Sequence, residues 1–433
     1  MSQNETFEKL TQSQLDGLVS LHERFLSGRI GGRRAILKRT DLTGLTLSGR
    51  NLRQADFSGC IMRGMDLSHT NFQESTLYAC DLSLSNLNEV NFIRADLRGA
   101  RIESANLIGA DLDNADLRRG AITTDGQYSA PSCVNFRGAN LSGARMLGCL
   151  ANNADFSDAI MMQVNIAGAD FRGARLCGAD LTGAELNGVN LEGANIRNAI
   201  LTGSNVQAIG TKNIDLSDAI TDKNVGPSVM NLIIPLATQI ADHHRWVDTS
   251  GREGAQLDLT GYDFREIGTL KQEKLTAIKA KWAKFFGLNM YQVELQSAQL
   301  EGADLRRCDL QGADFRGAIL KNAKFAHANL KEANFMPLLF ATGSAQRFAP
   351  CDLTGAELRY ANLSGAKLKN AIFHGADLTY VNFMGADLRD ADFTGAILDG
   401  ALMENANTEG AVFDQPATRA FSLSSITDEE TAN

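Results

Sequence analysis

Residues 91–117 read NFIRADLRGARIESANLIGADLDNADL. Phe92, Leu97, Ile102, Leu107, Leu112 and Leu117 recur at every fifth position. Two residues before a centre the side chain is small: Ala95, Ala100, Ala105, Ala110 and Ala115. The slot between is often acidic or amide, as at Asn91, Asp96, Asn106 and Asp111. Followed outward, the period holds at seventeen successive apolar centres from Leu42 to Ile122.

Neither regular element can bury this pattern. In an α-helix five residues advance about 140° beyond a full turn, so the centres spread round the cylinder. In a straight strand an odd period puts successive centres on opposite faces. The chain must turn a corner in every repeat, so that all centres and all alanines face one axis. Successive coils then stack by backbone hydrogen bonds at about 4.8 Å per layer.

The Ala-Asp/Asn-Leu/Phe-x-x pattern resembles the pentapeptide-repeat proteins. That resemblance implies an all-β fold, a right-handed four-sided parallel β-helix with twenty residues per coil. It covers about three-quarters of the chain. A second block runs from Phe136 to Leu216, with Ala151 and Thr211 as weak centres. A third runs from about Phe285 to Phe335, and a fourth from Leu353 to Phe413, with Thr408 as its exception. The phase breaks twice, in TTDGQYSAPSCV (123–134) and MPLLFATGSAQRFAPC (336–351). Each break is read as a loop extruded from a corner, and loops on a rigid scaffold are where function tends to sit.

Residues 222–282 interrupt the repeats and resemble the first 40. Leu21-His22-Glu23-Arg24-Phe25, Gly28-Arg29-Ile30-Gly31 and Asp41-Leu42-Thr43-Gly44 answer to His243-His244-Arg245-Trp246, Gly251-Arg252-Glu253-Gly254 and Asp258-Leu259-Thr260-Gly261. A duplication is inferred: two modules, each an α-helical N-terminal cap followed by β-helix. A β-helix end exposes unpaired backbone and an apolar cross-section, and a helix laid over it covers both.

The expected organisation is a cap at 1–40, a first β-helix at 41–222, a second cap or linker at 223–282, a second β-helix at 283–414 and a flexible tail at 415–433. The first cap helix is placed at Gln12–Leu26. The second is placed at 227–247, kinked at Pro235, with Met230, Ile233, Ile234, Leu236 and Ile240 available for burial. Leu275, Ile278, Trp282 and Phe285 have helical spacing in a Lys/Gln/Glu/Ala-rich stretch, so a helix is expected over 270–281, although the five-residue phase can be traced back into it.

Composition bounds the function. The 433 residues carry 44% apolar and 21% charged side chains, 40 glycines, six prolines and a net charge of −9. That charge argues against a general nucleic-acid binder. Seven scattered cysteines without a C-x-x-C fit free thiols in a reducing, cytoplasmic setting. Cys60 and Cys80 fall one coil apart, within disulfide reach, but are read with Cys149, Cys308 and Cys351 as small hydrophobes in the alanine slot. MSQNETFEKL has no basic and apolar leader pattern, so no secretory signal is expected. The longest apolar run, 229–240, is too short and too polar to span a bilayer, and no membrane insertion is expected.

A filled axis leaves no ligand cavity, and no G-x-S-x-G, H-E-x-x-H or Walker A sequence is present. His243 and His244, the adjacent pair among six histidines, are read as the polar face of a cap helix. No catalytic, cofactor or metal site is expected. Acidic residues often precede a centre (Asp56, Asp96, Asp170, Asp304, Asp387) and arginines often follow one (Arg53, Arg98, Arg172, Arg306, Arg389), giving mixed-charge faces. Some relatives imitate duplex DNA and inhibit DNA gyrase. That needs a sustained anionic stripe, which these arginines interrupt.

The reading reached is a non-enzymatic scaffold or adaptor for a protein partner; the alternative is a DNA-mimicking regulator of a topoisomerase such as gyrase. Tyr128, Leu338, Leu339, Phe340 and Phe348 on the two loops are the expected partner contacts. Arg29, Arg33 and Arg34, in a basic cluster with Arg24, Lys38 and Arg39, are the expected contacts for an anion or acidic partner. A second copy of the chain is a further candidate partner. Direct nucleic-acid binding is not expected.

Overall fold

The computed structural model describes residues 7–120, 132–209, 219–222, 226–342 and 345–414, with 123–124, 127–128, 214 and 216. The tail at 415–433 lies outside the described residues. The chain divides into two compact units, 1–223 and 224–433.

The corner that the five-residue period demands is a β-turn. Ala55 N–H donates to Leu52 C=O at 3.0 Å, and Cys60 N–H to Phe57 C=O at 3.0 Å. The second residue after most centres takes positive φ, as at Gly44 (78°), Gln54 (63°), Gly59 (71°) and His69 (56°), the geometry of a type II turn. The Asp/Asn preference before the centre has a local cause. Asp56 Oδ1 accepts the N–H of Ser58 at 3.0 Å, and Asp96 Oδ1 that of Arg98 at 3.2 Å. Each such Asx turn satisfies a backbone donor that the corner would otherwise strand.

Coils pair in parallel. In the first unit four ladders run Ile36–Asp56–Thr76, Asp41–Ile61–Asp81, Thr46–Asp66–Asn86 and Asn51–Asn71–Asn91, each step spanning twenty residues. Four ladders five residues apart make a four-sided coil. The axis is filled: Phe57, Phe72, Phe92, Phe136, Phe156 and Phe171 are fully buried. Stacked rings record the rise per coil directly, 4.8 Å between Phe136 and Phe156 and 4.9 Å between Phe373 and Phe393.

In the first unit β1 (Glu8–Lys9) pairs in parallel with β2 (Thr40–Asp41), on the open edge of the first coil. Between them α1 (Gln12–Leu26) starts at Thr11 with a capping box and ends in a Schellman arrangement, Gly28 N–H to Phe25 C=O and Arg29 N–H to Arg24 C=O. Leu15 and Val19 join the core cluster. The Gln12 side-chain amide bonds both backbone groups of Thr46, at 3.0 and 2.9 Å, as a neighbouring strand would. The phase break holds β3 (Thr123–Thr124), antiparallel to β4 (Gln127–Tyr128).

In the second unit Ser228 bridges Asp263, the position that answers to Thr46, which the Gln12 amide holds in the first unit. The second helix differs from expectation. α2 spans Leu236–Asp248, and Pro235 is its N-cap rather than a kink, because proline drives the preceding residue out of helical φ/ψ. Met230, Ile233 and Ile234 are therefore left outside the helix and exposed, at 61%, 101% and 54%. The helix expected over 270–281 is instead β-helix. Lys274 pairs with Glu294 and Lys279 with Gln299 in the ladders. Leu270, Leu275, Ala280 and Phe285 keep the five-residue period and are buried, while Trp282 sits at a corner with φ 60°. The lysines at 271–284 thus lie on coil faces, and coil structure begins near Leu257, not at 283. β5 (Leu338–Thr342) and β6 (Ala345–Ala349) form an antiparallel hairpin where a loop was expected.

Candidate interaction surfaces

Among the described residues the axis is filled by alanine and the bulkier centres, which are buried throughout both cores. Cysteines in the alanine slot behave as polar-tipped alanines. The thiols of Cys60, Cys80 and Cys308 donate to Leu37, Phe57 and Phe285 carbonyls 23 residues earlier, at 3.1, 2.9 and 3.0 Å. Thr70 and Ser85 use the same geometry toward Leu47 and Met62. Cys60 and Cys80 are free thiols rather than a disulfide, and burial pushes the Cys60 thiol up to about 11. Among the described residues no group of three His, Cys, Asp or Glu side chains could hold a metal ion.

His22 and His243 are fully buried, so the reading of His243 as a polar helix face is corrected. His22 Nδ1 accepts the N–H of Ala35 at 3.0 Å, and Nε2 lies 3.0 Å from the Arg53 carbonyl. His243 Nδ1 accepts the N–H of Leu257 at 3.0 Å. Each imidazole stacks on the aromatic three residues on, Phe25 or Trp246, at 5.9 and 5.6 Å. Burial lowers the pKa of both histidines. The repeated H-x-x-aromatic spacing was the available sequence signal for this pair, but nothing in it marks the backbone partners.

A groove of about 570 Å³ lies between the extended segment before α2 and the first coil of that unit, lined by Leu232, Ile233, Ile234, Leu257, Leu259 and Tyr262 among others. It does not bring together His243, His244 and Arg252, the combination a catalytic reading would need.

The arginines that follow a centre largely neutralise the acids that precede it. Arg98–Asp96, Arg118–Asp116, Arg172–Asp170, Arg316–Asp314 and Arg389–Asp387 are two-pronged pairs with Nη2–Oδ2 distances of 2.7–2.8 Å. The Arg172 guanidinium holds the Asp170 carboxyl at about 2. At these five corners the carboxylate therefore faces a guanidinium.

Two insertions break the coil. Arg101 pairs with Asn135 and Ile319 with Asp352, 34 and 33 residues apart where a regular ladder step spans twenty. Leu339 and Phe348 on the hairpin are 69% and 62% exposed, whereas Leu338 is half-buried, its Cβ against Gly317. Phe340 lies in β5 and Tyr128 in β4, with side chains outside the described residues. Arg29, Arg33 and Arg34 are all exposed, and Arg34 Nε donates to the Gln54 carbonyl at 2.6 Å. Leu339 and Phe348 share one hairpin; the three arginines share the turn after α1. Sequence reasoning missed Ile30, which is fully exposed at the tip of that turn. Among the described residues no helix is long and apolar enough to cross a membrane.

A family model for pentapeptide repeats matches in eight copies, over residues 35–74, 80–119, 132–166, 165–203, 282–335, 351–390 and 386–415. A search of curated proteins finds no match. Among solved structures the chain is similar to HetL, a pentapeptide repeat protein involved in heterocyst differentiation regulation from the cyanobacterium Nostoc sp. Strain PCC 7120, at 20% identity over 90% of this chain and 93% of that one, with a TM-score of 0.20. It is also similar to full-length QnrB1, a plasmid-mediated fluoroquinolone resistance protein, at 19% identity over 50% and 90% of the two chains, with a TM-score of 0.24. A third is Rfr23 from the cyanobacterium Cyanothece 51142, at 29% identity over 28% and 88%, with a TM-score of 0.22. With five-residue corners, four parallel ladders and a repeat match over more than half its length, this chain belongs to the pentapeptide-repeat family of right-handed β-helical proteins.

Proposed function

We propose that the protein is a non-enzymatic scaffold or adaptor, two β-helical modules each closed by an N-terminal helix, which holds a protein partner through its extruded segments. The observation that carries this reading is the β5–β6 hairpin. It leaves an otherwise regular coil and presents Leu339 and Phe348 to solvent, two large apolar side chains that the fold does not bury. Tyr128 and Phe340 lie on the same extrusions. The alternative, imitation of duplex DNA toward a topoisomerase, needs unpaired carboxylates in register, and the Asp–Arg forks supply paired ones.

The test is affinity capture from the native host with the full chain, and with a chain lacking both 121–134 and 338–350. Partners lost with the insertions support the reading; all partners retained on the trimmed chain overturn it. Inhibition of gyrase supercoiling by the intact chain would establish the alternative.

A further inference from the structure

The internal duplication separates what the N-terminal segment needs for folding from what it carries besides. Both units share the helix, the buried histidine, the aromatic three residues on and the glycine-bounded turn. The first unit alone adds charge. Residues 21–39 hold Arg24, Arg29, Arg33, Arg34, Lys38 and Arg39 against a single acid, Glu23. The matching turn of the second unit reads Gly251-Arg252-Glu253-Gly254, and AQLDLTG (255–261) after it has no lysine or arginine.

The geometry of the first turn is built to project. Arg29 N–H bonds Arg24 C=O at 2.9 Å, and Arg33 N–H bonds Leu21 C=O at 2.9 Å, which pins both ends to the helix. Gly32 packs so closely on Phe25 that an added Cβ would lie 2.4 Å from its backbone nitrogen. At Gly28 and Gly31, by contrast, an added Cβ would meet nothing within 4 Å. Between them stands Ile30, fully exposed, with Phe25 and Ile36 at 40% and 58%. Among the described residues Arg24, Arg29 and Arg33 have no acidic partner, while Lys38 meets Asp56 at 3.2 Å.

We propose that this turn is a peripheral docking site for an anionic lipid surface, with Ile30 seated among the acyl chains and Arg24, Arg29 and Arg33 on the headgroups. A convex apolar tip ringed by cations suits a deformable anionic plane. An acidic peptide would call for a groove, and the groove described above lies in the other unit beside Asp242 and Asp258. Nothing in the scaffold reading requires this site, and the two stand or fall apart.

The experiment is co-sedimentation of the full chain with phosphatidylcholine vesicles, with or without phosphatidylglycerol, at low and high salt. Binding is expected only with phosphatidylglycerol, and it weakens with salt. Arg29→Glu/Arg33→Glu should weaken it by about tenfold or more. Ile30→Ser should weaken it several-fold while leaving the thermal midpoint unchanged. The proposal is overturned if phosphatidylglycerol vesicles do not bind or if either variant binds as the parent does. It is also overturned if polyglutamate or duplex DNA is bound while the vesicles are not.

Discussion

Leu339 and Phe348 face each other directly across the β5–β6 hairpin, and both side chains point to solvent. A cross-strand apolar pair of this kind stabilises a hairpin modestly, by about 0.2–1 kcal/mol. The coil beneath gains nothing from it. The ladder step from Ile319 to Asp352 spans 33 residues instead of twenty, thirteen more than a coil requires. Deleting 338–350 restores the regular count. The trimmed chain should fold with a thermal midpoint close to the parent's. A large loss of β-helical circular dichroism or of cooperative unfolding would show that the hairpin belongs to the core.

His22 supports a second prediction. Its neutral ring accepts from Ala35 N–H and, through Nε2–H, donates to Arg53 C=O. Protonating Nδ1 would break the first bond inside a buried site. Burial is the main cause of the lowered pKa; the Arg34 charge adds to it, while the Arg53 carbonyl and Glu23 oppose it. A base with a lowered folded pKa contributes stability that is complete above its unfolded value, about 6.5, and is lost as pH falls below that. Protection factors of the amides of 12–35, corrected for the intrinsic pH dependence of exchange, should therefore be lower at pH 5 than at pH 7.5. His22→Ala should flatten that dependence and cost about 1–3 kcal/mol for each backbone group left unpaired. Protection factors in the parent that do not change with pH would contradict this role.

The legible part of the fold is the part that repeats. Seventeen centres in phase specify corners, because no straight element buries them. What repeats once or not at all was harder to read. The stretch 270–281 lacks the usual Asp or Asn before its centres and is filled with Lys, Gln, Glu and Ala, so local propensity pointed to helix. Tertiary burial of Leu270, Leu275 and Ala280 overrides it. The start of α2 turned on one residue, Pro235, whose effect on Ile234 is steric and local. The buried histidines depend on backbone partners 13 to 31 residues away, which no local pattern records. Of the surfaces, the exposed hairpin pair follows from the phase break at 336–351. The projecting Ile30 emerges only from the open space around Gly28 and Gly31.

Asp170 combines two roles that substitution can separate. Its Oδ1 accepts Arg172 N–H at 3.2 Å to close the corner, and its carboxylate forks the Arg172 guanidinium. Arg172 is about half exposed, so solvent screening leaves the ion pair little net worth. Asp170→Asn keeps the turn and should cost little. Asp170→Ala removes both and should cost more by about 0.5–1.5 kcal/mol. The carboxyl sits at about 2, chiefly because Arg172 donates to it. A depressed carboxylate contributes stability that is present above its unfolded pKa of about 3.9 and is lost as pH falls toward the folded one. The gap between the parent and Asp170→Asn should close between those values in urea melts. A gap constant with pH would show that the charge of the Asp170 carboxylate contributes nothing to it.

Trp282 and Gly302 give the sharpest packing test. The indole lies across the glycine one coil below, and a Cβ built there would come 2.0 Å from the ring. Gly44 has similar positive φ, 78° against 66°, with nothing within 4 Å of an added Cβ. Gly44→Ala should therefore cost only the left-handed backbone term, about 1–2 kcal/mol. Gly302→Ala carries the same term and must also displace the indole from the face it covers. Trp282→Ala removes that obstruction, so Gly302→Ala made in its background should cost about what Gly44→Ala does. A double-mutant cycle on chemical denaturation reads the coupling, expected at about 0.5–3 kcal/mol for residues in contact. Equal costs for Gly302→Ala in the two backgrounds would mean that the ring can swing aside freely and that this glycine is required by its backbone angle alone.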